Sequence, residues 1–108
     1  GEGGNIIGNN PVGNVMIIDD VLSAGTAARQ SIELISKTGA IPKIFIVGLD
    51  RQEKGSADIS ASKELQNDFG ITVKSIVNLD TLISFTENNS DYTAHLGELK
   101  AYRDNWGA

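Results

Sequence analysis

The amino-acid sequence predicts an α/β fold, in which helices flank a parallel sheet. Two apolar runs rich in β-branched residues, 15–18 and 44–49, are too short for helices and are typical of strands buried on both faces. Residues 27–37, between them, carry apolar side chains at helical spacing. A strand, a helix and a strand in this order form a right-handed parallel unit, and a third strand is predicted at 72–77.

The composition fits one folded domain of 108 residues, with 40% hydrophobic residues available for a core. The net charge of −5 and the pI of about 4.6 disfavour nucleic acid as the main partner, because such binding needs a basic surface. The sequence contains no cysteine and no apolar run of membrane-spanning length. We therefore expect a cytoplasmic protein without disulfides and without membrane association.

The first strand leads into a turn that is suited to a phosphate group. In open α/β sheets, ligands bind beyond the carboxyl ends of the strands, where the next helix offers unpaired N–H groups. Gly25 lets the backbone come close, and Ser23 and Thr26 add hydroxyl donors. This turn is therefore predicted to hold a phosphate monoester.

Two acidic residues, Asp19 and Asp20, stand between the strand and this turn. Carboxylates repel a phosphate, but they suit the hydroxyl groups of a sugar that carries it. The ligand indicated by these residues is a ribose 5-phosphate. Neighbouring side chains on a regular strand point to opposite faces, so both aspartates reach one ribose only if the strand breaks near this point.

Other classes of protein also have a strand that ends in paired acids. A Walker B strand requires a phosphate loop, and although Gly8 and Gly13 have its glycine spacing, Asn14 and Val15 replace the Lys and the Ser or Thr. A phospho-acceptor receiver domain could use Asp50, but it leaves the Ser-Ala-Gly-Thr turn unexplained. A purely structural pair of acids is disfavoured, because adjacent carboxylates at a buried strand end cost stability without a partner.

The second strand ends in the charged sequence Asp-Arg-Gln-Glu-Lys-Gly, residues 50–55. Composition alone indicates a solvated loop. Its position favours a site, because this loop leaves the same edge of the sheet as the aspartates and the phosphate turn. Arg51 could hold a planar carboxylate there through two parallel hydrogen bonds.

Three further helices are predicted in the second half of the chain. The first spans residues 60–69 and ends at Gly70. The second follows the third strand and is capped by Asn78. The last begins with Ser90 as its cap and aligns four apolar or aromatic side chains in one stripe, which are Tyr92, Leu96, Leu99 and Tyr102.

The stretch from the first strand to Thr26 resembles the phosphoribosyl-pyrophosphate (PRPP) motif of type I phosphoribosyltransferases. That motif has a hydrophobic strand, two acids, a variable pair, Thr or Ser, a small residue, Gly and Thr, and every position matches. The resemblance implies that Asp19 and Asp20 contact the ribose hydroxyls. It implies that the 5-phosphate is held by the segment that follows, which consists of Val21, Leu22, Ser23, Ala24, Gly25, Thr26 and Ala27.

Two further stretches resemble the orotate phosphoribosyltransferases within this family. In those enzymes a lysine-rich catalytic loop runs into Gly-Glu-Gly-Gly, the sequence with which this chain starts. Residues 1–14 would then be the end of that loop and its lead-in, and residues 15–108 the core with the C-terminal helices. Those enzymes also carry Asp-Arg-Gln-Glu-(Lys or Arg)-Gly after the second strand. The resemblance implies that Arg51 contacts orotate, with Ser23 near it.

The implied fold is a type I phosphoribosyltransferase-like sheet, of which this chain carries about three parallel strands. The implied reaction transfers phosphoribose from PRPP to orotate in pyrimidine nucleotide synthesis, with Asp19 and Asp20 as the catalytic residues. The resemblance also implies a homodimer, and Mg²⁺ bound through substrate oxygens more than through protein ligands. The alternative is a PRPP-sensing regulator without turnover. Because the lysine-bearing loop precedes the first residue, we expect the chain alone to be inactive.

Overall fold

The structure, a computed structural model, describes residues 6–108 and confirms the predicted α/β fold. Its single sheet has three parallel strands in the order β1-β2-β3. The expectations for Gly1 to Gly4 lie outside the described residues. The elements in chain order are β1 Asn14–Leu22, α1 Thr26–Lys37, β2 Ile41–Asp50, α2 Ala61–Phe69, β3 Thr72–Asn78, α3 Leu79–Glu87, a 3-10 turn Thr93–His95 and α4 Leu96–Trp106.

The hydrophobic core lies between one face of the sheet and helices α1 and α2. Phe45 and Val47, on the central strand, are fully buried there together with Ile32 of α1. Leu65 of α2 closes the same cluster. Fully burying a side chain of this size contributes about 1.5–3 kcal/mol. The core therefore fixes both helices, and with them the loops at the carboxyl edge of the sheet.

The second face of the sheet differs from the expectation that the strands are buried on both faces. Met16 and Ile18 point away from Ile17, which packs on the core, and they are 51% and 74% exposed. Ile76 on β3 is 78% exposed. The apolar pattern indicates strands, and the strands are present, but residues 6–108 supply no layer that covers the middle of this face. The two-faced burial is therefore wrong for the described part of the chain.

The end of helix α2 and the start of α3 lie where the sequence predicts, whereas the start of α4 does not. Ser60 precedes α2 and accepts a hydrogen bond from the N–H of Lys63 at 3.3 Å, and Gly70 ends this helix with φ 65°. Asn78 caps α3 as predicted. The predicted cap at Ser90 is wrong, because the chain first forms the 3-10 turn and α4 begins only at Leu96.

The stripe expected along the last helix is accordingly shorter than predicted. Tyr92 lies before α4, where its ring centroid is 5.5 Å from that of Phe85. Leu96, Leu99 and Tyr102 do lie on α4 and are half-buried. Across residues 6–108, every helix is too short or too polar to cross a bilayer.

Candidate functional site

The first strand runs further than expected and includes both aspartates. β1 continues to Leu22, since Asp19 pairs with Val47 and Leu22 pairs with Asp50. Ile17 and Leu22 both pack on the core although they are an odd number of residues apart. The alternation of side chains is therefore interrupted between them. β1 does not break at the aspartates, but this irregularity falls in the same stretch of the strand.

Both aspartates are exposed, and each bends back onto the backbone. The N–H of Asp20 donates to Oδ1 of Asp19 at 2.8 Å, and the N–H of Val21 donates to Oδ1 of Asp20 at 2.7 Å. These bonds fix the direction of the two carboxylates relative to the end of the strand. The accessible carboxylates can therefore accept hydrogen bonds from hydroxyl groups of a bound sugar.

A close approach of backbones explains the irregular point. Gly48 lies beside Asp20, and an ideal Cβ on Gly48 would stand 2.9 Å from the carbonyl oxygen of Asp20. Glycine within a strand often marks such an approach. The position of Asp20 therefore depends on residue 48 of the neighbouring strand being a glycine, which has no side chain.

The turn after β1 delivers the chain to an open helix N-terminus. Gly25 is the N-cap of α1, has φ 92°, and accepts the first intrahelical bond from the N–H of Arg29 at 2.9 Å. No side chain caps this helix. The N–H groups of Thr26, Ala27 and Ala28 consequently have no acceptor within the helix. Three adjacent donors at the positive end of a helix dipole suit an anion.

Gly25 is required for two separate reasons. Its φ of 92° lies in the left-handed region that side chains rarely adopt, and a Cβ there would come within 3.2 Å of the Cβ of Ala61. The turn thus packs directly against the start of α2. The backbone conformation of Gly25 and the small residue that faces it explain why this turn needs a glycine.

The predicted phosphate-binding segment is not uniform in exposure. Ser23 is half-buried in the turn, and the side chain of Leu22 is 1% exposed and belongs to the core. Leu22 can therefore contribute only its backbone to a ligand. Of the remaining predicted positions, Gly25 is buried, Val21 is half-buried, and Ala24, Thr26 and Ala27 are exposed.

Arg51 lies at the same edge of the sheet as the aspartates. Its N–H donates to the carbonyl oxygen of Leu22 at 2.9 Å, so its backbone is joined to the last residue of β1. The next residue, Gln52, has φ 55°, and its N–H donates to Oδ1 of Asp50 at 2.8 Å. This turn presents the Arg51 side chain, 45% exposed, beyond the strand ends.

A cleft of about 340 Å³ separates the phosphate turn from the loop after β2. Glu64 of α2 closes it, accepting from the N–H and the hydroxyl of Ser56, from the N–H of Ala57 at 3.3 Å and from Nη2 of Arg29 at 3.2 Å. The Ser56 hydroxyl bond is the largest cause that lowers the pKa of Glu64. The N–H groups of Ala57 and Ser56 and the charge of Arg29 act in the same direction, against desolvation.

No protein-family model matches the chain. It is similar to curated proteins named orotate phosphoribosyltransferase, with 48% identity over 107 residues to that of Vibrio cholerae and 44% over 107 residues to that of Marinobacter nauticus. Each match covers 99% of this chain and 50% of the relative. The chain therefore spans about half the length of the curated relatives it matches.

The solved structures give the same family. A crystal structure of orotate phosphoribosyltransferase from Francisella tularensis superposes with a TM-score of 0.69 at 34% identity, covering 88% of this chain and 47% of that one. The Aeropyrum pernix orotate phosphoribosyltransferase gives 0.61 at 28% identity, covering 74% and 41%. This chain is a homologue of orotate phosphoribosyltransferases. The likeness confirms the type I phosphoribosyltransferase-like fold.

Three residues that shape this part of the homologue were not among the sequence predictions. Glu64 on α2 accepts hydrogen bonds from Arg29 of α1 and from Ser56 of the loop after β2, and Gly48 leaves room for the backbone of Asp20. Gly48 had a readable signal, because an isolated glycine inside an apolar strand indicates a close backbone approach. Glu64 also had a signal, since it stands three residues after Ala61 and next to Leu65 on the inward side of α2.

Proposed function

We propose that this chain forms the part of an orotate phosphoribosyltransferase that holds the ribose 5-phosphate of PRPP and orients orotate. The observation that carries the proposal is the 2.9 Å hydrogen bond from the N–H of Arg51 to the carbonyl oxygen of Leu22. It joins the arginine loop to the strand that carries Asp19 and Asp20. Sugar, phosphate and base contacts would then converge on one edge of the sheet.

The chemistry assigns a separate task to each group. As pyrophosphate leaves, positive charge develops at C1 of the ribose, as in other glycosyl transfers. Asp19 and Asp20 would hold the ribose hydroxyls and place negative charge beside that centre. The N-terminus of α1 would bind the 5-phosphate, and Arg51 would align the orotate carboxylate so that N1 meets C1. Ser23 would lie near the base.

The chain fits Mg²⁺ only in partnership with substrate. Among residues 6–108, no group of three or more His, Cys, Asp or Glu side chains could hold a metal ion. The exposed carboxylates of Asp19 and Asp20 offer the hard oxygen donors that Mg²⁺ prefers. The remaining ligands would come from pyrophosphate, ribose and water. When bound, Mg²⁺ would offset the charge of the leaving group.

A homodimer and a cytoplasmic location are part of the same proposal and rest on the resemblance to the family. The relatives are named as transferases, which gives no support to the alternative of a PRPP-sensing regulator. The open face of the sheet and the match to half of the relatives' length support a site that needs further residues. We therefore expect the 108 residues alone to show no turnover.

The first test is reconstitution. This chain is joined to the half of the Vibrio cholerae relative that it does not match, and the product is called here the reconstituted enzyme. The same two halves are also mixed as separate chains. With PRPP and Mg²⁺, orotate consumption is expected from the joined and the mixed forms and not from this chain alone. Folded preparations that consume no orotate in either form would contradict the proposed activity, and turnover by the chain alone would contradict the incomplete site.

Arg51→Ala tests base recognition in the reconstituted enzyme. Loss of a charge-assisted, bidentate contact costs about 1.5–3 kcal/mol, or roughly 10- to 150-fold. This loss should appear in the KM for orotate and leave the KM for PRPP within about 2-fold. Arg103→Ala is the matched control, because Arg103 lies on α4 and pairs with Asp80 at 3.7 Å. Equal losses for both substrates would show that Arg51 does not read the base.

A further inference from the structure

The end of helix α4 is attached to the loop that carries Arg51. The N–H of Lys54 donates to the carbonyl oxygen of Trp106 at 3.0 Å, and the N–H of Ala108 donates to that of Gln52 at 2.9 Å. Glu53 and Gly107 form an antiparallel bridge between these two contacts. The last residues of the chain therefore act as a short strand beside the arginine loop.

Tyr102, one turn before this bridge, stands between the two charged side chains of the loop. Its hydroxyl donates to Oε1 of Glu53 and accepts from Nη1 of Arg51 at 3.4 Å. The direct separation of Nη1 of Arg51 from Oε1 of Glu53 is longer, 3.8 Å. Glu53 is 8% exposed, whereas the Arg51 side chain is 45% exposed. The buried carboxylate is thus held by a neutral donor, and the guanidinium remains accessible.

We infer that Tyr102 is a positioning residue for base recognition, which holds the Glu53 carboxylate 3.8 Å from Nη1 of Arg51 and keeps it from a closer, hydrogen-bonded pair with the guanidinium. This inference rests on the proposed function. In residues 6–108, Arg51 uses Nη1 alone for its contacts to Tyr102 and Glu53, and Nη2 and Nε keep their donors for a ligand carboxylate. The hydroxyl of Tyr102 thereby preserves both the charge and the geometry that a bidentate contact needs.

The reason is competition between two carboxylates for one guanidinium. A buried carboxylate that loses its hydrogen-bond donor must find another, because leaving it unsatisfied is costly. Arg51 is the cation already beside Glu53. Without the Tyr102 hydroxyl, Glu53 would turn onto Arg51 and occupy donors that orotate needs. The defect would fall on orotate, because the trio meets the predicted phosphate-binding segment through the backbone N–H of Arg51, whereas the competition concerns its guanidinium.

The test uses three variants of the reconstituted enzyme. Tyr102→Phe keeps the ring in the cavity that it lines with Leu79, Leu82 and Leu99 and removes only the hydroxyl. We expect the KM for orotate to rise about 3- to 10-fold, the value of one hydrogen bond, while the KM for PRPP changes less than about 2-fold. Glu53→Gln added to Tyr102→Phe removes the competing charge and should return the orotate KM to within about 2-fold of the parent.

Tyr92→Phe is the matched control, since it removes the other tyrosine hydroxyl at a site before α4 and should change neither KM. KM is compared because partial misfolding lowers the active concentration, and with it kcat, without altering KM. An unchanged orotate KM in Tyr102→Phe, or a raised KM that Glu53→Gln does not relieve, would overturn the inference. A parent enzyme that does not consume orotate would instead count against the proposed function, so the two failures are distinguishable.

Discussion

Gly48→Ala tests the contact on which the position of Asp20 depends. A Cβ on this residue would lie 2.9 Å from the carbonyl oxygen of Asp20, whereas carbon and oxygen in contact sit about 3.3 Å apart or more. The obstacle is backbone in a paired strand, so it cannot rotate aside. The pairing between β1 and β2 must therefore open by about 0.4 Å.

The magnitude follows from two opposing terms. Forcing an extra carbon into a packed position costs about 1–3 kcal/mol. Replacing glycine by alanine recovers about 0.4–1 kcal/mol, because the unfolded chain loses conformational freedom. We expect a net loss of about 0.5–2 kcal/mol, with a Tm that falls by about 4–8 °C for each kcal/mol. In the reconstituted enzyme the KM for PRPP should rise more than the KM for orotate, since Asp20 is displaced while Arg51 is not.

Gly97→Ala makes the same chemical change in open space. Gly97 lies in α4, its φ is not positive, and a Cβ there would meet nothing within 4 Å. Alanine in a helix is favoured over glycine by about 0.5–1 kcal/mol, so this variant should melt higher than the parent. Thermal melts of the three proteins, followed by circular dichroism, would give opposite signs. A Gly48→Ala protein as stable as the parent would refute the close approach of β1 and β2.

Three further outcomes are expected. Asp20→Asn should keep the Tm within about 2–4 °C of the parent, as an exposed substitution does, and reduce kcat in the reconstituted enzyme; a joint loss of Tm and activity would make the residue structural. Asn78→Ala should lower the free energy of unfolding by about 0.5–2 kcal/mol in denaturant titrations, because its Oδ1 accepts from the N–H of Thr81 at 2.9 Å. In the folded protein the pKa of Glu64 is lowered, foremost by the hydrogen bond from Ser56. The stability that the ionised Glu64 contributes is therefore fully present above its unfolded-state pKa and is lost as the pH falls through its folded-state pKa. Glu64→Gln should therefore flatten the fall in Tm below about pH 4.5, and an unchanged acid limb would contradict this role.

The sequence predicted those features of the fold that depend on nearby residues. The three strands, the turn before α1 and the cap at Asn78 follow from apolar periodicity, β-branching and short-range hydrogen bonding, and the structure confirms each of them. The predicted end of β1 at Ile18 was four residues too early. The strand includes the polar residues Asp19 and Asp20, because its pairing with β2 continues as far as Leu22. Sheet pairing overrides the composition of the strand at that point.

Features that depend on distant residues could not be predicted. The four hydrogen bonds to Glu64 come from α1 and from the loop after β2, and neither is marked as its neighbour in the sequence. Ser90 carried a valid capping signal, yet the 3-10 turn after it decided where α4 starts. The exposure of Met16 and Ile18 could not be predicted, because an apolar strand indicates that its side chains need to be covered and does not indicate which residues cover them.

The core determines more than stability, because it also sets the register that brings Arg51 to the phosphate turn. Leu22 stands opposite Asp50 in the β1–β2 pairing, and Arg51 follows at once. A slip of one residue would turn every side chain of β2 to the other face. Phe45 and Val47, both fully buried, forbid that slip since it would exchange them for residues of the open face. Two apolar core side chains therefore fix the position of Arg51 relative to Asp19, Asp20 and the turn before α1.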